Sequence, residues 1–152
     1  MACEQWKGEV LDYIGRSKFA VLTYVREDLA PVSRAMGSFA PDGLDLYFST
    51  RKDAPKVQEI DRHRNVSFFF EHDNQALETW KNVLLIGEAE QLEQGDKLDR
   101  AVLLLGNRNP RFKERVANGE LQNTAIFRIR TKEIEYLDRS KGNGSVKKEY
   151  VS

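Results

Sequence analysis

The chain has 152 residues, of which 24 are basic and 24 acidic, so its formal net charge is zero, and 40% of its residues are hydrophobic. This length predicts one domain with a substantial core, and the balanced charge argues against a nucleic-acid binder, which is usually basic. No apolar run approaches the roughly 20 residues of a membrane span, and the first residues lack an apolar secretion signal, so we expect a cytoplasmic protein with no membrane partner.

The first predicted elements are a helix and a buried strand. The helix covers residues 4–15. Trp6, Val10 and Ile14 recur there every four residues, which places them in one apolar stripe. The strand covers residues 19–25, a run that is rich in β-forming residues and nearly continuous in apolar character. Such a run indicates a strand that is buried on both faces.

Two further strands are predicted to form a hairpin. One covers residues 32–39, and the next begins at Leu44. Pro41, Asp42 and Gly43 form a strong turn signal between them, because proline presets φ and glycine accepts a positive φ. Since so few residues join the two strands, they can pair only in the antiparallel sense.

Short helices and more strands follow. Asp53 and Pro55 suit the N-cap and first turn of a helix. The later predicted elements are a strand over 66–70, a strand over 80–91, a helix over 98–105 that ends at Gly106, a helix over 110–117, and a sixth strand over 126–130 with 134–137 as its extension after a break. Mostly hairpin connections predict a mainly β fold with helices, a six-stranded antiparallel barrel, in a single domain over 1–138. Residues 139–152 read as a polar, glycine-rich tail or partner-dependent arm.

A candidate anion site lies where the third strand meets the next helix. Ser49 and Thr50 end the strand, and Lys56 follows in the first turn of the helix. A helix start presents unpaired N–H groups and a partial positive charge, which suit an anion. Arg34, on the paired strand, could add a fork-shaped contact to a phosphate. A solvated surface loop is the competing interpretation of the same spacing.

Several short motifs occur in a fixed order in the first part of the chain. They are Ser33-Arg34-Ala35-Met36, Leu46-Tyr47-Phe48-Ser49-Thr50, Lys56 six residues after Thr50, Arg64-Asn65-Val66-Ser67, and the run from Asn82 to Leu92. In this order and spacing they resemble the FMN-binding split β-barrel family, whose best-known member is pyridoxamine 5′-phosphate oxidase. The resemblance covers about half of the chain closely.

The resemblance implies a homodimer with two FMN sites at the subunit interface, each built from both chains. It implies these cofactor-binding residues: Arg34, Ala35, Met36, Ser49, Thr50, Lys56 and Asn82. The two cations would hold the FMN phosphate with help from the two hydroxyl residues. The backbone of residues 35–36 would run along the flavin ring, and the amide side chain would lie near that ring.

The chain also departs from pyridoxamine 5′-phosphate oxidase. Phe39 occupies the position of a lysine that binds the substrate phosphate in that enzyme, and the Trp and His/Arg segment at the enzyme's end has no counterpart here. The chain therefore resembles the general-stress and flavin-reductase-like branch of the family and not a vitamin B6 enzyme.

No residue stands out as a general acid or base, which fits chemistry carried by the flavin N5. We expect an FMN-dependent oxidoreductase that passes electrons from a reduced nicotinamide to a small acceptor. Alternatives are a non-catalytic flavin-binding or stress module, a pyridoxamine-phosphate-oxidase-like enzyme, and a relative that binds a deazaflavin or haem.

Other chemically suggestive residues have simpler interpretations. The two histidines, His63 and His72, and the single cysteine, Cys3, are too few for a dedicated metal site, so we expect no metal. His72 is expected in a solvated loop. Trp80 fits the flavin, the core or an interface equally well. The basic stretch over residues 108–115 is interpreted as a solvated helix face.

Overall fold

The structure is a computed structural model that describes the backbone of residues 2–142 and 146–150 and the side chains of residues 5–142. The helices in this part are α1 (Ala2–Gly15), α2 (Pro55–Arg62), α3 (Asp96–Arg108) and α4 (Pro110–Ala117). The strands there are β1 (Ala20–Val25), β2 (Pro31–Met36), β3 (Phe39–Asp42), β4 (Asp45–Arg51), β5 (Asn65–Glu71), β6 (Lys81–Leu92), β7 (Thr124–Asp138) and β8 (Val146–Tyr150).

The described strands form one antiparallel sheet in the order β2-β1-β5-β6-β7-β4-β3, with β8 added alongside β7. β2 and β3 lie at opposite ends of this order, yet only Gly37 and Ser38 separate them in the chain. The sheet must therefore curl until its ends meet, along a line that we call the seam. There the Ser38 carbonyl accepts a hydrogen bond from the Ser49 N–H at 3.1 Å. The expected antiparallel split barrel is confirmed, with eight described strands where six were expected.

The strand predicted over residues 32–39 is in fact two strands, and burial explains the break. Met36 and Phe39 both lie in the barrel core. Residues three apart on one continuous strand point to opposite faces, so a linker must reset the alternation. The hairpin predicted around residues 41–43 is confirmed between β3 and β4, with Gly43 at a φ of 60°.

β6 and β7 are long strands that pair with each other along their whole length. β7 runs through 15 residues without the break that was expected after residue 130. Its first half pairs also with β4 and its second half with β8, so the segment predicted as a polar tail contributes a strand. The ladder between β6 and β7 shifts register between Ile86 and Gly87, a bulge that allows both strands to bend.

The bulge depends on the missing side chain of Gly87. A Cβ atom at this position would lie 2.3 Å from the carbonyl oxygen of Arg130. Because that oxygen belongs to the backbone, it cannot move away without distorting β7. We expect Gly87→Ala to lower the free energy of unfolding by about 1–3 kcal/mol, measured by urea denaturation. Gly8→Ala is the control, since a Cβ there meets open space in α1. Equal unfolding midpoints for Gly87→Ala and the wild type would contradict the prediction.

Two apolar clusters fill the fold. The larger lies inside the barrel and includes a group of contacting phenylalanine rings: Phe39, Phe48, Phe68, Phe70 and Phe127. α1 and α2 close this core, α2 through Val57 and Ile60. The smaller cluster lies on the outer side of β3 and β4, where Tyr47 packs with residues of α3 and α4.

α3 is anchored to the β3–β4 hairpin by an ion pair. The guanidinium of Arg100 donates two hydrogen bonds to the carboxylate of Asp42, at 2.6 and 2.8 Å. The helix was predicted to end at Gly106, but it continues to Arg108. Gly106 is instead a buried contact point, where a Cβ would lie 3.6 Å from Lys113 of α4. Its small size lets the two helices approach each other.

Candidate functional site

Two neighbouring cations lie together at the seam. Arg34 is on the edge strand β2, directly opposite the buried Leu22 of β1, so its side chain starts from the barrel's inner face. Lys56 is in the first turn of α2, and its Nζ lies 3.7 Å from the Sδ of Met36. Within the described residues, Arg34 donates only to the neighbouring carbonyl of Ser33, at 3.0 Å. Among the described side chains, no carboxylate pairs with either cation.

The surroundings of Lys56 disfavour its charge. Burial lowers the pKa of this ammonium group below its ordinary value, and the positive charge of Arg34 lowers it further. A phosphate bound between the two cations would reverse both effects, because it would supply the missing opposite charge and hydrogen-bond acceptors. The pair is therefore preorganised for an anion.

The lowered pKa of Lys56 predicts a pH dependence of stability in the ligand-free protein. Unfolding restores the ordinary pKa of the lysine, near 10.5. At a pH between the pKa of Lys56 in the folded protein and its pKa in the unfolded chain, the unfolded chain therefore binds more protons than the folded protein. The free energy of unfolding should therefore rise as pH increases through that window. Urea denaturation from pH 7 to 10.5 should show a smaller rise for Lys56→Met than for the wild type or for Lys52→Met, which changes an exposed lysine of the preceding loop. Parallel profiles for Lys56→Met and the wild type would contradict this expectation.

The two hydroxyl residues at the end of β4 point in opposite directions. Thr50 shares the inner face with Phe48, and within the described residues its hydroxyl has no hydrogen-bond partner. Ser49 shares the outer face with Tyr47, is buried, and bonds through its hydroxyl to the hydroxyl of Ser38. The Thr50 hydroxyl can thus bind a ligand on the side of the cations, whereas the Ser49 hydroxyl forms a hydrogen bond across the seam.

The start of α2 differs from the prediction in one detail. Asp53 was predicted as the N-cap, but the cap position is Ala54, and no side chain caps the helix. Asp53 instead pairs with the exposed Arg51 at 3.0 Å. Pro55 lies at the first position of the helix, as predicted. Within the described part of the chain, no carboxylate therefore caps the beginning of α2.

Asn82 does not lie near the two cations in this chain. It alternates with the buried Val83 on β6 and therefore points to the outer face of the sheet, opposite to the face of Arg34. β1 and β5 separate its strand from β2. One ligand cannot contact Arg34 and Asn82 of the same chain. Glu71, which sequence reasoning overlooked, accepts a hydrogen bond from the Asn82 amide at 3.1 Å.

The outer face also carries an apolar row across four strands. We define the outer row as the cross-strand neighbours Ala35, Val21, Phe69 and Leu84. Val21 is 37% exposed, and Phe19, just before β1, is 67% exposed, so the prediction that this strand is buried on both faces is wrong for its outer face. Ala35, predicted to lie along a ligand, faces this side and not the side of Arg34. A continuous apolar row on a sheet surface is typical of an interface.

Two residues outside the site have structural roles that the sequence did not reveal. Arg108 is half-buried and not solvated: it donates to the carbonyls of Gly15, at 2.9 Å, and Ser17, and its guanidinium lies 4.5 Å above the ring of Phe39. Burial lowers its pKa. His72 is also not in a solvated loop, because its Nε2 lies 2.7 Å from the Ser17 hydroxyl.

Among the described residues, no group of three His, Cys, Asp or Glu side chains is placed to hold a metal ion. The described helices also include none with the length and apolar character of a membrane-crossing segment.

Comparisons with known proteins agree on the fold. The sequence matches the family described as pyridoxamine 5′-phosphate oxidase over residues 7–138. No curated protein sequence matches the chain significantly.

Solved structures with the same fold share little sequence with this chain. A Clostridium acetobutylicum protein related to general stress protein 26 is 16% identical, with a TM-score of 0.74 over 97% of this chain and 96% of that one. A haem-binding protein from Mycobacterium smegmatis is 14% identical, with a TM-score of 0.79 over 95% of this chain but only 57% of that one. The haem storage protein HutZ from Vibrio cholerae is 17% identical, with a TM-score of 0.66 over 82% of this chain and 88% of that one.

Proposed function

Because the chain belongs to the pyridoxamine 5′-phosphate oxidase family, we propose that it binds FMN and passes electrons from a reduced nicotinamide through FMN to a small acceptor. The observation that carries the proposal is that Arg34 and Lys56 lie together and that no carboxylate among the described side chains pairs with either of them. Two neighbouring like charges without a carboxylate cost stability, and a phosphate removes that cost. The residues therefore fit the phosphate end of FMN.

Each residue has a definite part in this proposal. Arg34 offers a planar fork of donors to the phosphate oxygens, Lys56 offers a mobile ammonium group, and Thr50 offers its free hydroxyl. The backbone of Ala35 and Met36 on the edge strand β2 supplies N–H and C=O groups to the ring. When bound, FMN would supply hydride and electron transfer at its N5 atom.

A second copy of the chain completes the proposed site. Arg34 and Asn82 lie on opposite faces of one sheet, so both can contact FMN only if they come from different chains. The outer row supports this arrangement, since a second copy would cover its apolar side chains. We therefore propose a homodimer with two sites, each sharing residues of both subunits.

Production of pyridoxal phosphate is not part of the proposal. Phe39, which stands where the oxidase has a phosphate-binding lysine, is fully buried among phenylalanine rings and beneath the guanidinium of Arg108. A phenyl ring cannot pair with a substrate phosphate, and the guanidinium above it already donates to the carbonyls of Gly15 and Ser17. We expect no oxidation of pyridoxamine 5′-phosphate beyond background.

The visible spectrum of the purified protein tests the proposal. We expect the absorption of bound FMN, bleaching by NADH or NADPH without oxygen, and recovery on addition of an acceptor. Bound FMN that neither nicotinamide bleaches would favour a non-catalytic flavin-binding module. Absence of flavin, with no affinity for added FMN, would overturn both functions.

Haem binding is the second candidate, favoured by the fold shared with the haem-binding and haem storage proteins. The same spectrum distinguishes it, because haem gives an intense Soret band and flavin does not. Titration of the protein with hemin and with FMN should show which one binds at stoichiometric concentration. We expect FMN.

A further inference from the structure

A carboxylate on the outer face of the sheet holds two neighbouring side chains. Glu71 ends β5, directly opposite Asn82 of β6. Its Oε2 atom accepts a hydrogen bond from the Trp80 indole N–H at 2.8 Å and one from the Asn82 amide at 3.1 Å. Trp80 and Asn82 are each half-buried and Glu71 is exposed, so the two hydrogen bonds form one cluster at the surface of the sheet.

The contact with Glu71 fixes which way the Asn82 amide faces. An ionised carboxylate can only accept hydrogen bonds, so the NH2 group of the amide must be the part that meets it. The opposite orientation would place two oxygen atoms against each other. The Oδ1 atom of Asn82 is therefore turned away from Glu71, and no described side chain donates to it. Asn82 is left to act toward a ligand as an acceptor.

We propose that Glu71 is a positioning residue, which turns the Asn82 oxygen toward the cofactor and so selects a ligand that offers an N–H donor. The inference rests on the proposed flavin function. The ring of oxidised FMN carries one such donor, the imide N–H between its two carbonyl groups. Neutral Asn82 could turn its NH2 group toward a ligand carbonyl equally well, and Glu71 opposes that rotation by holding the NH2 group on its own side.

The experiment compares FMN with N3-methyl FMN, in which a methyl group replaces the imide hydrogen. Each flavin is titrated into the purified apoprotein and followed by the quenching of flavin fluorescence. For the wild type we expect N3-methyl FMN to bind about tenfold more weakly, the value of one hydrogen bond. The ratio of the two dissociation constants is the readout, because a general loss of stability would weaken both flavins alike.

Three variants separate orientation from charge. Glu71→Ala leaves the Asn82 amide free to turn either its oxygen or its NH2 group toward the ligand. The tenfold ratio of the two dissociation constants should therefore fall to near one. Glu71→Gln removes the charge but keeps an oxygen that accepts from Trp80 and Asn82, so the ratio should be retained. Glu78→Ala, which removes an exposed acid between β5 and β6 without described hydrogen bonds, should behave like the wild type.

The possible failures are distinguishable. If the wild type binds neither flavin, the proposed function is wrong. If it binds both flavins equally, or if Glu71→Ala keeps the tenfold ratio, the role of Glu71 is wrong while the flavin function stands. Loss of the ratio in Glu71→Gln as well would show that the charge acts by itself, which also overturns the positioning role.

Discussion

Replacing both Arg34 and Lys56 with alanine is expected to weaken FMN binding by about a thousandfold. Each side chain would contribute charge-assisted hydrogen bonds to the phosphate, of about 1.5–3 kcal/mol each. The remaining groups at the seam, the Thr50 hydroxyl and backbone N–H groups, are neutral and cannot replace two charges. Fluorescence titration of the apoprotein with FMN measures the effect.

The same substitutions separate binding from folding. The cations repel each other in the ligand-free protein, and Lys56 is partly buried, so their removal should leave the free energy of unfolding unchanged or raise it. Lys52→Ala is the matched control, since it removes an exposed lysine four residues before Lys56 and should leave FMN affinity unchanged. Riboflavin, which lacks the phosphate, should bind the double variant and the wild type equally. Full FMN retention by the double variant would refute the phosphate assignment.

A charge in the outer row is expected to convert the proposed dimer to a monomer. Val21 lies in the centre of the row, between Ala35 and Phe69, and is 37% exposed in the single chain. A glutamate there can stay hydrated in a monomer, but a symmetric dimer would bury two such charges without partners, at a cost of several kcal/mol each. Sedimentation velocity should show Val21→Glu at half the mass of the wild type.

The loss of the dimer should also remove FMN, because the site would lack the partner's contribution. Leu103→Glu is the control: Leu103 is 60% exposed on α3, away from the outer row, so this variant should remain dimeric and retain FMN. A monomeric Val21→Glu protein with full FMN affinity would contradict the shared site. A dimeric one would place the interface elsewhere.

Local signals in the sequence were sufficient for most elements of the fold. The turn over residues 41–43 and the four-residue spacing of α1 depend on neighbouring residues alone, and both are confirmed. The break between β2 and β3 depends on which residues fill the barrel core. The residues next to it in the sequence do not show this. The helix end was wrongly predicted at Gly106, because the sequence alone does not distinguish a glycine that permits close helix packing from one that ends a helix.

The candidate site shows the same limit. Strand alternation dictates that Ser49 and Thr50 point opposite ways, but only the pairing of β4 with its neighbours shows which one shares a face with Arg34. Asn82 was placed in the site by resemblance, and its separation from Arg34 within one chain follows only from the strand order. Glu71 had no sequence signal at all, since an exposed acid at a strand end is ordinary.

The linker of Gly37 and Ser38 also limits how the molecule can fluctuate. From Met36 to Phe39 an extended chain spans at most about 11 Å, so the two edges of the sheet cannot separate widely. Ser38 is in addition hydrogen-bonded to Ser49, which ties the linker to the hairpin that carries α3. Local opening at either edge therefore exposes both, and the backbone amides of β2 and β3 should exchange with solvent deuterium as one cooperative unit.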